Sequence, residues 1–234
     1  MDEFSALREE VISCRLCPRL VDWREGTAAE PPRRYQGQRY WGRPLPGFGQ
    51  SRARIVVVGL APAAHGGNRT GRIFTGDRSG DWLFAAMYRA GLTNQPTSEH
   101  ADDGLRLKGA YVTAVNRCPP PQNQPTTEER DNCLPYLVRE LGLLRSARVL
   151  VALGSFAWTG ALLALRAQGA ELPRPRPRFT HGAEVAIETR GQRGPRAWWL
   201  LGCFHPSQQN TFTGRLTEPM MDAVFERAQE LAAP

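Results

Sequence analysis

The chain holds 234 residues, 41% hydrophobic and 23% charged, with 30 Lys+Arg against 23 Asp+Glu and a formal net charge of +7. A single domain of this size and composition can bury a real core, which excludes a disordered chain and a scaffold held by disulfides alone. Lys108 is the sole lysine, so the charge rests on arginine, whose guanidinium forks onto phosphate and favours polyanionic partners.

In chain order, Phe4, Leu7, Val11 and Cys14 share one stripe and predict a first helix with Asp2 as its N-cap. Residues 24–52 mix Gly, Pro, Arg and aromatics without a period, and a long ordered loop is expected there. The run RIVVVGL (54–60) predicts a strand buried on both faces. A glycine-rich loop (62–80) follows, then a helix from about Ser79 to Arg89 that Gly91 ends. YVTAV (111–115) predicts a second strand, and Thr126 with Glu129 forms a capping box opening a helix to about Arg145. ARVLVALG (147–154) predicts a third strand, with Ser155 capping a helix to Gln168, and AWWLLGCF (197–204) predicts a fourth. Thr217 and Pro219 open a last helix whose Met221, Val224, Phe225, Ala228 and Leu231 face inward.

Strands separated by helices imply an α/β fold, a parallel sheet covered on both faces. One domain over 1–234 is expected, with an N-terminal arm over 1–52. Ligands in such folds sit beyond the carboxyl ends of the strands, so function is expected in the loops beginning at Ala61, Asn116, Ser155 and His205. The uncharged run from Val149 is broken by Gly154-Ser155 and falls short of the roughly 20 apolar residues of a spanning helix. The start, MDEFSALREE, lacks the apolar stretch of a secretory signal. A soluble, cytoplasmic monomer is therefore expected, with no membrane partner.

Of five cysteines, Cys203 lies in an apolar strand and reads as a small buried hydrophobe. The others, Cys14, Cys17, Cys118 and Cys133, make a C-x2-C and a C-x14-C pair. Two disulfides suit a cytosolic protein poorly, so a metal site is the better reading. Four thiolates suit either a structural zinc or a [4Fe–4S] cluster. The wide second pair leans toward the cluster, with zinc as the second choice. Either would tie the N-terminal arm to the loop after the second strand.

GLAPAAHGGNRTGRIFTGDRSGD follows the first strand and matches neither a Walker loop nor a dinucleotide fingerprint. It nevertheless sets glycines, arginines, Phe74 and Asp77 at a strand's carboxyl end; Asp77 equally suits a helix cap. After the fourth strand, HPSQQNTFTGRL aims His205 toward the crevice and brings the neutral polar Gln208, Gln209 and Asn210.

These two segments, with VNRCPPPQNQPT and the four cysteines, resemble the type-B (family 5) uracil-DNA glycosylases over residues 14 to 216. The resemblance implies a three-layer α/β/α fold on a central four-stranded parallel sheet, and a [4Fe–4S] cluster on Cys14, Cys17, Cys118 and Cys133. It implies base-excision repair: hydrolysis of the N-glycosidic bond of uracil in DNA, with tolerance of other deaminated bases such as hypoxanthine, and association with the nucleoid. Where other branches of the superfamily place Asp or Asn to handle the attacking water, this chain has Ala61, and Asp77 is the nearest candidate. On this reading His205 donates to the departing base, Phe74 stacks on it and Asn116 reads its edge. Gly59 and Ala61 offer backbone N–H groups, as do Gly66 and Gly67. Arg69, Arg72, Arg78, Arg117 and Arg215 meet phosphates, and the stretch from Ser207 through Gln208, Gln209 and Asn210 to Thr211 enters the groove. The absence of lysine from these loops argues against a Schiff-base lyase step. The rival readings are a non-catalytic, metal-stapled nucleic-acid-binding module and a hydrolase of free nucleotides.

Overall fold

The computed structural model describes residues 2–191 and 194–233. Helix α1 (Glu3–Ser13) starts where the Asp2 carboxylate accepts the Ser5 N–H, as the sequence predicts. Helix α2 (Pro18–Ala29) opens on a proline, whose missing N–H is no loss at that position. It carries regular structure past residue 24, and a 3-10 turn (Arg33–Tyr35) and the short β1 (Phe48–Gly49) interrupt the expected loop further. The helix hid from the apolar period because one of its inward positions is the buried Arg24.

Strand β2 (Ile55–Gly59), the single turn α3 (Gly67–Thr70) and helix α4 (Arg78–Arg89) come next. β3 (Ala110–Ala114), α5 (Thr127–Leu143), β4 (Val149–Leu153) and α6 (Ser155–Ala167) follow. β5 (Glu184–Gly191), β6 (Gly194–Cys203), α7 (Gln208–Phe212) and α8 (Glu218–Ala232) complete the chain. Thr126 and Glu129 make the predicted capping box. Ser155 does not cap α6: the cap position is Gly154, at φ +91, and Ser155 is the first helical residue.

The six strands lie in the order β1-β3-β2-β4-β6-β5. The inner four are parallel, as expected. The two edges, β1 on β3 and β5 on β6, are antiparallel and were not foreseen. β2, β3 and β4 are buried at every position, the mark of parallel strands sandwiched by helices. On one face Leu83, Phe84 and Met87 of α4 pack with Met221, Val224 and Phe225 of α8. On the other, Leu137 and Leu141 of α5 pack with Trp158, Leu162 and Leu165 of α6. Each such side chain contributes roughly 1.5–3 kcal/mol of burial. The chain therefore folds as a three-layer α/β/α sandwich. Among the described residues no helix is long and apolar enough to cross a membrane.

From β2 the chain crosses to β3 on one side, and from β4 to β6 on the other. The crevice between β2 and β4 is thus the switch point at which ligands of open α/β sheets collect.

Candidate active site

Parallel pairing brings the carboxyl ends of β3, β2, β4 and β6 to one edge, and backbone hydrogen bonds draw their loops together. The Asn116 N–H donates to the Leu60 carbonyl (2.9 Å), tying the end of β3 to the loop after β2. The Gly154 N–H donates to the Cys203 carbonyl (2.8 Å), doing the same for β4 and β6. A Cβ on Gly154 would lie 3.3 Å from the Cβ of His205, so the turn after β4 abuts the histidine.

Phe74 is buried with φ +54, left-handed backbone that a bulky side chain rarely adopts. That twist lays its ring over Gly59, where any Cβ would stand 2.7 Å from the ring edge. The ring centroid is 5.9 Å from that of His205, with the planes tilted by 34°. Phe74 and His205 thus face one another at the end of the sheet, with the Phe74 ring over Gly59; Ala61, two residues further on, is half-buried. Asn116 is fully buried, and neither its Oδ1 nor its Nδ2 has a hydrogen-bond partner. An unpaired buried amide is costly, roughly 1–3 kcal/mol per group. The neighbouring Val115 donates its N–H to the carbonyl of Gly59 (3.0 Å), the residue that the Phe74 ring covers.

His205 is partly exposed, but its surroundings are dry enough that desolvation pulls its pKa down to about 4. It is held from behind: the Asn210 Nδ2 donates to the His205 carbonyl (2.8 Å). Asp77 caps α4, its Oδ1 accepting the Gly80 N–H (3.0 Å). Its Oδ2 presses on Gly66, where a Cβ would sit 2.0 Å away, so only glycine admits the carboxylate there. Burial raises its pKa, as does the charge of Asp81, against the lowering effect of the Gly80 and Ser79 N–H groups and of Arg69.

The arginines divide. Arg72 is buried and fully engaged: it donates to Thr75 (2.9 Å), Ser98 (2.9 Å) and the Ala101 carbonyl (3.0 Å) and pairs with Asp103 (2.6 Å). Arg117 is buried against Glu140 at 2.6 Å. Both were expected to meet phosphate and instead hold the fold together. Arg69 is largely committed too, bonding the His65 and Gly76 carbonyls and Gln38 while lying 4.4 Å above the Tyr35 ring. Arg78, over Phe212 at 4.5 Å, and Arg215, over Phe204 at 4.7 Å, remain on the surface. Ser207 caps α7 through the Asn210 N–H, Gln208 and Gln209 point outward, and Asn210 turns in to His205. The expected loop here is a short helix.

Cys17, Cys118 and Cys133 are buried and Cys14 is partly so. Burial raises the thiol of Cys118 to about 12 and that of Cys133 to about 11, and both feel Cys14. Among the described residues no three His, Cys, Asp or Glu side chains form a group closed on a single metal ion. The thiols share one neighbourhood nonetheless. The buried Arg24 donates to the Cys118 sulfur (3.1 Å), and the Asn132 amide to the Cys17 sulfur (3.5 Å). Three buried sulfurs and a partly exposed fourth, with N–H donors already aimed at two of them, fit a thiolate-ligated group in donor chemistry.

A cavity of about 490 Å³ adjoins these loops, bordered by Asp77, Gly66, His65, Trp23 and Gln208. Sequence reasoning missed His65 and Trp23. The histidine was visible within the glycine-rich motif, but Trp23 lies on the helix that the apolar period failed to reveal.

A family model described as "Uracil DNA glycosylase superfamily" matches residues 46–229. A type-5 uracil-DNA glycosylase of Mycobacterium bovis is 54% identical over 220 residues, covering 94% of this chain and 78% of that one. That of Mycobacterium leprae is 52% identical over 227 residues, covering 97% and 94%. That of Thermus thermophilus is 46% identical over 227 residues, covering 97% of each. The chain belongs to the uracil-DNA glycosylase superfamily, among its type-5 members.

Proposed function

We propose that this protein is a DNA-repair glycosylase that hydrolyses the bond between uracil and deoxyribose in DNA and leaves an abasic site. The observation that carries the reading is the buried, unpartnered Asn116 amide, in a strand end hydrogen-bonded to Gly59 and Leu60, with the Phe74 ring over Gly59 and facing His205. One acceptor and one donor suit the edge of uracil. The target base leaves the duplex, at a cost of a few kcal/mol, and stacks on Phe74. As the N-glycosidic bond breaks, electrons move to the base, and a ring N–H of neutral His205 stabilises the oxygen that becomes negative. The Asp77 carboxylate orients water toward the sugar carbon and offsets the positive charge growing there. Water supplies the hydroxyl that ends on the sugar and the proton that ends on the base. With Lys108 the sole lysine, a lyase step has no amine in these loops. Ala61 leaves room for a purine, so hypoxanthine is a second substrate. Arg78, Arg215, Gln208 and Gln209 line the surface that meets DNA, which a monomer suffices to engage.

We infer further that Cys14, Cys17, Cys118 and Cys133 hold a [4Fe–4S] cluster. When bound, it fastens the arm of α1 and α2 to the loop after β3.

The test is a labelled duplex with one uracil, incubated with the protein and then treated with alkali. Strand breakage at the uracil is expected, and binding without breakage would favour a non-catalytic module. Asn116→Ala should lower uracil excision about 10- to 100-fold, the worth of hydrogen bonds to a charged group, and hypoxanthine excision less. Equal losses on both bases would remove Asn116 from base reading.

A further inference from the structure

The cavity of about 490 Å³ is larger than a flipped pyrimidine needs, and Phe74, Asn116 and His205 do not line it. It meets the proposed reaction site only at Asp77 and Gly66. Its walls have a character of their own. Trp23 is 41% exposed, where a large aromatic ring is normally covered. His65 lines the same cavity, its Nδ1 engaged with the Tyr40 hydroxyl at 3.1 Å. Burial and the charges of Arg34 and Arg69 pull the His65 pKa down. Gln122 and Asn123, which also line it, both hold positive φ, +56 and +57, in a turn that follows Pro120. Two consecutive left-handed non-glycine residues are strained, and strain of this kind persists where the surrounding structure enforces it, commonly at functional sites. Arg34 and Arg78 also line the cavity and are exposed to solvent.

A flat apolar ring, neutral amides and exposed cations are what a nucleotide requires: a face for stacking, groups for the base edge and charge for phosphate. We propose that this cavity is a second subsite, which takes the nucleotide next to the excised one, everted from the same strand and stacked on Trp23. The continuity with Asp77 argues for a neighbour in the strand, since a base seated there is joined covalently to the one under attack. The inference rests on the proposed glycosylase reading.

The experiment uses the full-length protein and single-stranded oligonucleotides holding one uracil, with the nucleotide on its 5′ or its 3′ side either intact or replaced by a baseless spacer. Trp23→Ala should raise KM about tenfold on the intact strand, within the range for removal of one base–aromatic stack, and leave kcat unchanged. Trp23→Phe should restore most of the KM. With a spacer on the side that fills the subsite, wild type should fall to the KM of Trp23→Ala, and the substitution should have no further effect. An equal tenfold loss with every spacer, or no loss at all, would overturn the subsite. Wild-type protein that releases no uracil from any strand would instead sink the glycosylase reading, so the two failures are distinct. Thermal melts of Trp23→Ala should match wild type, because the side chain is half in solvent.

Discussion

At the scale of single residues, burial sets the protonation of the two ionisable groups nearest the proposed chemistry. The His205 pKa of about 4 keeps the ring neutral at pH 7, so it can donate an N–H without introducing a charge of its own. Asp77 moves the other way, above its ordinary 3.8, because desolvation and the charge of Asp81 outweigh its hydrogen bonds. Between the ordinary imidazole value of 6.5 and about 4 the unfolded chain binds a proton at His205 that the native state refuses. This group therefore removes stability as pH falls through that window. Activity should follow Asp77 instead: kcat/KM falls on an acid limb displaced above 3.8 as the carboxylate takes up its proton, with no separate inflection at 6.5. His205→Ala should lower kcat by about 10² to 10³, the usual loss for one preorganised donor, and leave the limb in place. An inflection at 6.5 that this substitution abolished would show a charged imidazole at work. Asp77 was legible as both cap and candidate carboxylate, because the two readings draw on the same position at a strand-to-helix turn. Arg72 and Arg117 were misjudged because nothing local marks an arginine as buried; their partners, Asp103 and Glu140, lie 31 and 23 positions away.

At the scale of elements, the end of β3 distributes three consecutive residues to three tasks. Asn116 keeps a buried amide unpaired, Arg117 turns into the core and Cys118 joins the thiols. Arg117 is anchored by Glu140 of α5, whose carboxylate also accepts from the Thr113 hydroxyl (2.6 Å), the Tyr111 hydroxyl (3.2 Å) and the Gly47 N–H (3.1 Å). Removing one member of a buried pair leaves a charge without compensation. Glu140→Ala should therefore destabilise the protein by roughly 3–5 kcal/mol, read from denaturant unfolding, and loosen the backbone that presents Asn116. A loss under about 1 kcal/mol, the usual ceiling for a surface pair, would mean that the pair is hydrated in solution. The elements themselves were largely readable. The apolar runs of β2, β3 and β4 and the Thr126–Glu129 box carry their signals locally. β5 carried one too, since Val185, Ile187 and Thr189 alternate with exposed Glu184, Ala186, Glu188 and Arg190, but it runs to within three positions of β6, which leaves no room for the helical crossover of a parallel strand and makes the pair antiparallel.

At the scale of the whole molecule, the thiols bring α1 and α2, α5 and the loop after β3 to one place. Purified without oxygen, the protein should be coloured and contain iron rather than stoichiometric zinc. Chelation, or Cys118→Ser, should lower the melting temperature and expose the arm over residues 1–52 to protease, because the ligand bonds are also folding bonds. A colourless zinc protein would overturn the cluster, and an arm as resistant as before would show that packing alone holds it.

The sequence by itself determined the layered α/β plan, the four central strands, most of the caps and the loops in which the site residues lie. Hydrophobic runs, capping residues and strand ends act over a few neighbours, and neighbours are what a sequence displays. Tertiary structure alone decided that Phe74 swings over Gly59 to face His205, that Asn116 is left without a partner, and which arginines reach solvent. Those outcomes depend on surfaces brought together from distant parts of the chain, where burial and an unmet hydrogen bond first come into being.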